Sequence, residues 1–286
     1  MWSNYSPVIP AQPLFMIKDL SILTREAIGL LKELISIPSF SKEEHQTASL
    51  LSLFFDKKKI PNFRAGNNIY ACNLHFENAK PTILLNSHHD TVKPNKAYTL
   101  DPFEPMEKHG KLFGLGRNDA GGSVVSLFAT FLHFYDRSDM AYNLVYAASA
   151  EEEISGPGGI ELLFKDPSFN PPDRKWAFAL VGEPTQMQMA VAEKGLLVID
   201  CTSHGKAGHA AREEGVNAIY KALQDIEWFR TFQFPLVSEF LGPVKMSVTV
   251  IETDNKAHNV VPSQCNFVVD IRVNELYSFE DVLHII

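Results

Sequence analysis

The amino-acid sequence predicts an α/β protein with a mixed, largely parallel sheet flanked by helices, followed by a second, small α+β domain. Three observations carry this. Three short apolar runs, 81–87, 142–150 and 176–181, alternate with helical stretches, as in layered parallel sheets. Near residue 190 the runs give way to strict alternation of apolar and polar residues, the mark of half-exposed antiparallel strands. Finally, 45% of the 286 residues are hydrophobic, enough for a sizeable core.

The elements follow in order. Pro7, Pro10 and Pro13 give residues 1–20 the character of an irregular lead-in. From Thr24, Ala27, Leu30, Leu31, Leu34 and Ile35 recur at helical spacing until Pro38 ends the helix. Ser41 with Glu44 reads as a capping box for a second helix reaching Phe55. Residues 60–77 read as a strand pair turning at Asn67-Asn68. The runs Pro81–Ser87, Tyr142–Ala150 and Trp176–Val181 read as strands buried on both faces. Helices are expected over Ser123–Tyr135, behind Gly121-Gly122, and over Gly158–Phe164. In the second part, 196–203 is a strand and 214–230 an amphipathic helix. Met246, Val248 and Val250, then Phe267, Val269, Ile271 and Val273, mark two further strands, and a helix begins at Phe279. The domains are expected at 1–190 and 191–286.

A net charge of -8 suits neither nucleic acid nor an anionic membrane. Cys72, Cys201 and Cys265 lie far apart and read as free thiols in a reducing compartment. Met1 to Met16 carries no secretory pattern, and no run approaches the ~20 apolar residues of a membrane span. The expected location is the cytoplasm.

Four clusters could carry chemistry, each at or just after a buried strand, the edge where open α/β sheets bind ligands. Ser87-His88-His89-Asp90 offers an imidazole with a carboxylate to hold its second nitrogen. Asp119 precedes two glycines and a helix. Glu151-Glu152-Glu153 follows an apolar strand, where adjacent carboxylates repel unless cations offset them. Glu183 sits in a turn. Taken singly, these read as a polar loop, a helix cap, a solvated run and a surface carboxylate. Together, His88, Asp119, one or two of the glutamates 151–153 and Glu183 form a mixed imidazole and carboxylate set suited to Zn²⁺, Mn²⁺ or Co²⁺. A carboxylate can bridge two such ions and a spare Glu can activate a water.

At these residues the sequence resembles the zinc-dependent aminoacylase and carboxypeptidase family, from about residue 25 onward. The motifs are Ser-His-His-Asp-Thr-Val at 87–92, Gly-Arg-Asn-Asp-Ala-Gly-Gly at 116–122, Ala-Glu-Glu-Glu at 150–153, Gly-Glu-Pro-Thr at 182–185 and Gly-Lys-Ala-Gly-His-Ala at 205–210. The resemblance implies a zinc-peptidase-like catalytic domain with an inserted lid or dimerisation domain. It implies that His88 and Glu183 bind one of two zinc ions, that Asp119 bridges them and that Glu153 binds the second, with Co²⁺ or Mn²⁺ as substitutes. Asp90 then orients His88, Glu152 is general base and acid, and Glu151 is a spectator. His209 would reach the partner's site in a homodimer, and Asn259 and Arg272 would hold the substrate carboxylate.

The implied reaction is hydrolysis of an N-acyl amino acid. Within the family, the run Ser149-Ala-Glu-Glu-Glu looks closest to the acetylornithine deacetylases of arginine biosynthesis. Succinyl-diaminopimelate desuccinylases and dipeptidases are the neighbouring readings. The family also completes its second metal with a histidine beyond the small domain. His284 is a poor substitute, so an inactive fragment or a dimerisation or binding protein stands as the alternative of another class.

Overall fold

The computed structural model describes residues 19–286. The irregular lead-in and the reading of Met1 to Met16 fall outside that range, apart from the last two lead-in residues. The chain divides between Met187 and Gln188 into two compact units.

The first unit is built on a five-stranded sheet ordered β1-β2-β6-β3-β7. Its strands are β1 (Phe63–Ala65), β2 (Asn68–Cys72), β3 (Thr82–His88), β6 (Asn143–Ser149) and β7 (Trp176–Val181). A separate hairpin joins β4 (Met106–Lys108) to β5 (Lys111–Phe113). The sheet is mixed: β3 runs parallel to β6 and β7, whereas β2 is antiparallel to β1 and β6.

The period of two along the strands sorts side chains between two cores. Leu85, Leu144, Tyr146 and Ala148 face helices α1 (Leu20–Ile35), α2 (His45–Lys57) and α3 (Gly122–Phe134). Phe128 of α3 meets the Phe55 ring edge-on at 4.7 Å, a geometry that adds to area burial. Leu84, Val145 and Ala147 face the other way, toward Tyr70, Leu163 of α4 (Ile160–Lys165) and Phe169. This two-sided cover is why the runs 82–88 and 143–149 read as apolar rather than alternating.

Four local expectations are corrected in this unit. Helix α1 begins at Leu20, because the Asp19 carboxylate caps it by accepting from Ser21 N–H. The Ser41–Glu44 capping box does not form. The Ser41 hydroxyl donates to Asp90, and the Glu44 carboxylate accepts from Lys42 and Glu151 N–H and from the Asn67 amide. The hairpin turns at Gly66-Asn67, one residue early, with Ala65 facing Asn68 and Gly66 at φ +60, where a glycine is at ease. Strand β7 is an edge strand, not one buried on both faces: Phe178, Leu180 and Val181 are 51%, 46% and 59% exposed.

The second unit holds an antiparallel sheet β10-β12-β8, with β8 (Gly195–His204), β10 (Lys245–Thr253) and β12 (Gln264–Val273). Phe267, Val269, Ile271 and Val273 of the central β12 are all buried and form one core with α5 (Ala218–Thr231) and Val282 of α6 (Phe279–Ile285). A ribbon pairs β9 (Gly208–His209) with β11 (Val260–Val261). Helix α5 starts four residues after Glu214 because Asn217 caps it. A register shift between Val248 and Val250 breaks the expected alternation, leaving Val250 45% exposed while Met246 and Val248 face the core.

Candidate metal centre

The parallel strands end at one edge of the sheet, β7 two residues short of β3. His88 closes β3 opposite Ser149 of β6, and Asn86 lies opposite Val181 of β7, so the Glu151–Glu153 turn and Glu183 emerge at the same edge. The Ser87 hydroxyl donates to Gly182 carbonyl at 2.8 Å and ties the Glu183 turn to β3. Asp119 reaches the edge from the turn before α3, where the Asp119–Ala120 peptide bond is cis.

His88 is the centre of the group. Its Nε2 lies 3.1 Å from Asp119, 3.7 Å from Glu152 and 3.8 Å from Glu183. Ligand atoms of His88, Asp119 and Glu153 lie within 4.8 Å of one another. The other nitrogen, Nδ1, is 3.3 Å from the Asp90 carboxylate. Burial opposes a charge on His88, but Asp90, Glu152 and Glu183 outweigh it, and its pKa is pushed up to about 9. Glu153 is held above the ordinary carboxylate range by burial and by Asp119. Negative groups thus crowd one buried imidazole nitrogen, an arrangement that a divalent cation would relieve. The donor set, one imidazole and several carboxylate oxygens, fits Zn²⁺ and its borderline neighbours.

Asp90 does more than face His88. It is fully buried, and its oxygens accept from Ser41 hydroxyl at 2.7 Å, Glu152 N–H at 3.1 Å and Glu153 N–H at 3.2 Å. Burial alone would raise its pKa. His88, Ser41 and the Glu152 N–H hold it below the usual range instead. One carboxylate therefore fixes both the imidazole and the backbone that presents the glutamate pair.

The sequence-predicted residues fall into two groups. His88, Asp90, Asp119, Glu152, Glu153 and Glu183 converge in the first unit. His209, Asn259 and Arg272 lie in the second. There His209 and Asn259 are brought together on the β9–β11 ribbon, where Ala210 N–H donates to Asn259 carbonyl. Arg272 stands near the far end of β12, eight residues from Gln264, or about 26 Å of extended strand. Its guanidinium is paired with Asp270 through two hydrogen bonds, of 2.9 and 3.0 Å.

Residues 191–286 match the M20 family's peptidase dimerisation domain. The chain is 26% identical over 276 residues to succinyl-diaminopimelate desuccinylase 2 of Ruegeria sp. (strain TM1040), covering 90% of this chain and 68% of that protein. It is 29% identical over 282 residues to acetylornithine deacetylase of Proteus mirabilis (strain HI4320), covering 90% and 70%. Over residues 191–286 the chain carries the M20 dimerisation domain, and over most of its length it is similar to M20 enzymes. An M20 family metallo-carboxypeptidase from Sulfolobus solfataricus shares its fold, with a TM-score of 0.65 at 17% identity over 91% of this chain and 74% of that one. These homologues support a metal-dependent amidohydrolase. It spans about two thirds of the length of these curated relatives.

Several residues that shape the candidate centre have no such role in the sequence reading. Glu151, read as a spectator, holds the loop after β6. Its carboxylate accepts from Gly158 N–H, its own N–H donates to the buried Glu44, and its backbone is left-handed at φ +52. Asn68 bonds both ends of the same loop, accepting from Ala150 N–H and donating to Gly158 carbonyl. The available signal was Glu44 itself, a charged residue that the capping-box reading absorbed.

Proposed function

We infer that this chain hydrolyses the amide bond of an N-acyl amino acid at a two-zinc site. The convergence of three carboxylates within 3.8 Å of the buried His88 Nε2 carries the reading. His88 and Glu183 would hold one ion and Glu153 the other, with Asp119 between them. Bound metal would polarise the acyl carbonyl and acidify a water. Glu152, half-exposed beside the centre, takes that water's proton and passes it to the leaving nitrogen. Asp90 keeps the His88 ring and the Glu152 backbone in place for both steps.

Deacylation of an acylated diamino acid is the substrate class, since the relatives named above are a desuccinylase and a deacetylase. The run Ser149-Ala-Glu-Glu-Glu favours acetylornithine, and zinc is favoured over Co²⁺ or Mn²⁺. The dimerisation domain supports a homodimer in which His209 serves the partner's site. Among the described residues no helix is long and apolar enough to cross a membrane, and the three free cysteines fit a reducing cytoplasm.

The test is turnover of N-acetyl- and N-succinyl-amino acids by zinc-loaded protein. Hydrolysis is expected, with loss on chelation and recovery on adding zinc. Absence of hydrolysis in protein carrying two zinc ions per chain would refute the reading. A strict monomer by sedimentation would refute the role of His209.

A further inference from the structure

Beside the carboxylates of the first unit lies a cavity of about 190 Å³, lined in part by Thr91, Tyr98, Arg117, Asn118, Asp119 and Glu153. At about 30 Å³ per water, it has room for roughly six waters, or for a short carboxylate-bearing chain. Two of its groups, Asp119 and Glu153, belong to the candidate metal centre. Arg117 brings the opposite charge.

Arg117 is two residues from Asp119, yet no carboxylate pairs with it among the described residues. Its guanidinium lies over the Phe113 ring at 5.6 Å, on the β4–β5 hairpin. A cation–π contact at this distance restrains the guanidinium without using its N–H donors. The backbone leading to it is equally constrained. Gly116 is left-handed at φ +70, and a Cβ there would press within 2.6 Å of the Thr91 methyl. A placed guanidinium with unused donors, the Asn118 amide and the hydroxyls of Thr91 and Tyr98 make a set that suits a planar anion. Cations on Asp119 and Glu153 would remove the repulsion those carboxylates otherwise present to it.

We propose that this cavity is a carboxylate subsite of the substrate and that Arg117 is its specificity-determining residue. This rests on the amidohydrolase reading, which fixes the ligand as an acylated amino acid. Two carboxylates of such substrates could enter: the distal one of a dicarboxylic acyl chain, or the α-carboxylate of the amino acid. The chemistry that recognises them is the same, so the experiment separates them.

Zinc-loaded wild type and Arg117→Gln are compared on N-succinyl-ornithine, N-acetyl-ornithine and N-acetyl-ornithine amide. The variant should lose about ten- to a hundred-fold in kcat/KM on a substrate whose carboxylate Arg117 holds, as expected for a charge-assisted hydrogen bond. It should lose less than about three-fold on one without it. Loss on the succinyl substrate alone assigns the acyl carboxylate. Loss on both ornithine acids but not the amide assigns the α-carboxylate. Equal loss on all three, or none, overturns the proposal.

Calorimetric binding of succinate and of ornithine to the same zinc-loaded proteins gives a readout free of turnover. Weakening of either by the substitution supports the subsite, and unchanged binding of both overturns it. Failure of the hydrolytic reading would instead appear as no turnover by wild type, with the calorimetry still deciding the role of Arg117.

Discussion

Asp90→Asn isolates the carboxylate on which the centre hangs. Asparagine keeps the shape but exchanges one oxygen for an amide. Asp90 accepts from three donors, Ser41 hydroxyl and the N–H groups of Glu152 and Glu153, and faces His88 Nδ1 at 3.3 Å. Turning one oxygen into a donor makes about two of these four contacts unfavourable. At about 1.5–3 kcal/mol for each hydrogen bond to a charged group, the metal-free protein should lose about 3–6 kcal/mol. Urea denaturation of wild type and variant reads this directly. Zinc affinity should fall about ten- to a hundred-fold, the usual cost of removing a ligand's orienting partner, measured by competition with a chelator.

The same variant changes a titration. His88 is raised from 6.5 to about 9 in the metal-free protein. Its charged form therefore stabilises the fold fully below its ordinary pKa, and that stability is lost as pH rises through about 9. In the variant the loss should occur at lower pH, because burial is no longer offset by Asp90. The His88 ring protons report the shift by NMR. Wild-type zinc affinity together with an unmoved His88 titration would refute the assignment of Asp90.

Three further outcomes are expected. Glu152→Gln should lower kcat by about a hundred- to ten-thousand-fold while the protein still binds zinc; turnover near wild type would end its role as general base. Gly159→Ala places a Cβ against the Ala150 carbonyl, so the loop carrying Glu151–Glu153 must shift, at about 1–3 kcal/mol by thermal denaturation, with weaker zinc binding. Phe128→Ala, in the aromatic cluster with Phe55 and Tyr146, should cost about 3–5 kcal/mol without altering the substrate preference of whatever fraction remains folded.

Much of this protein is legible along the chain because its signals are local. The strand runs 82–88 and 143–149 are buried on both faces, and His88 at the end of β3, with Glu152, Glu153 and Glu183 just beyond β6 and β7, supplies most of the candidate centre. Periodicity finds such strands, and strand ends find such residues. The β12 alternation, Phe267 to Val273, is read correctly for the same reason: one face meets α5 and α6 and the other does not.

What local pattern cannot supply is the identity of a side chain's partner. Ser41 and Glu44 have the spacing of a capping box, yet Ser41 bonds Asp90, 49 residues away, and Glu44 bonds Glu151, 107 away. Trp176–Val181 has the composition of a central strand, but sheet order puts it at the edge. Arg117 and Arg272 are both single arginines beside an aspartate two positions away. Only the tertiary structure shows Arg272 locked onto Asp270 and Arg117 over the Phe113 ring with no carboxylate partner among the described residues. Sequence determined which groups reach the sheet edge, because backbone period and strand length are local properties. The fold decided which of them meet, because hydrogen bonds and charge pairs depend on distance in space rather than separation along the chain.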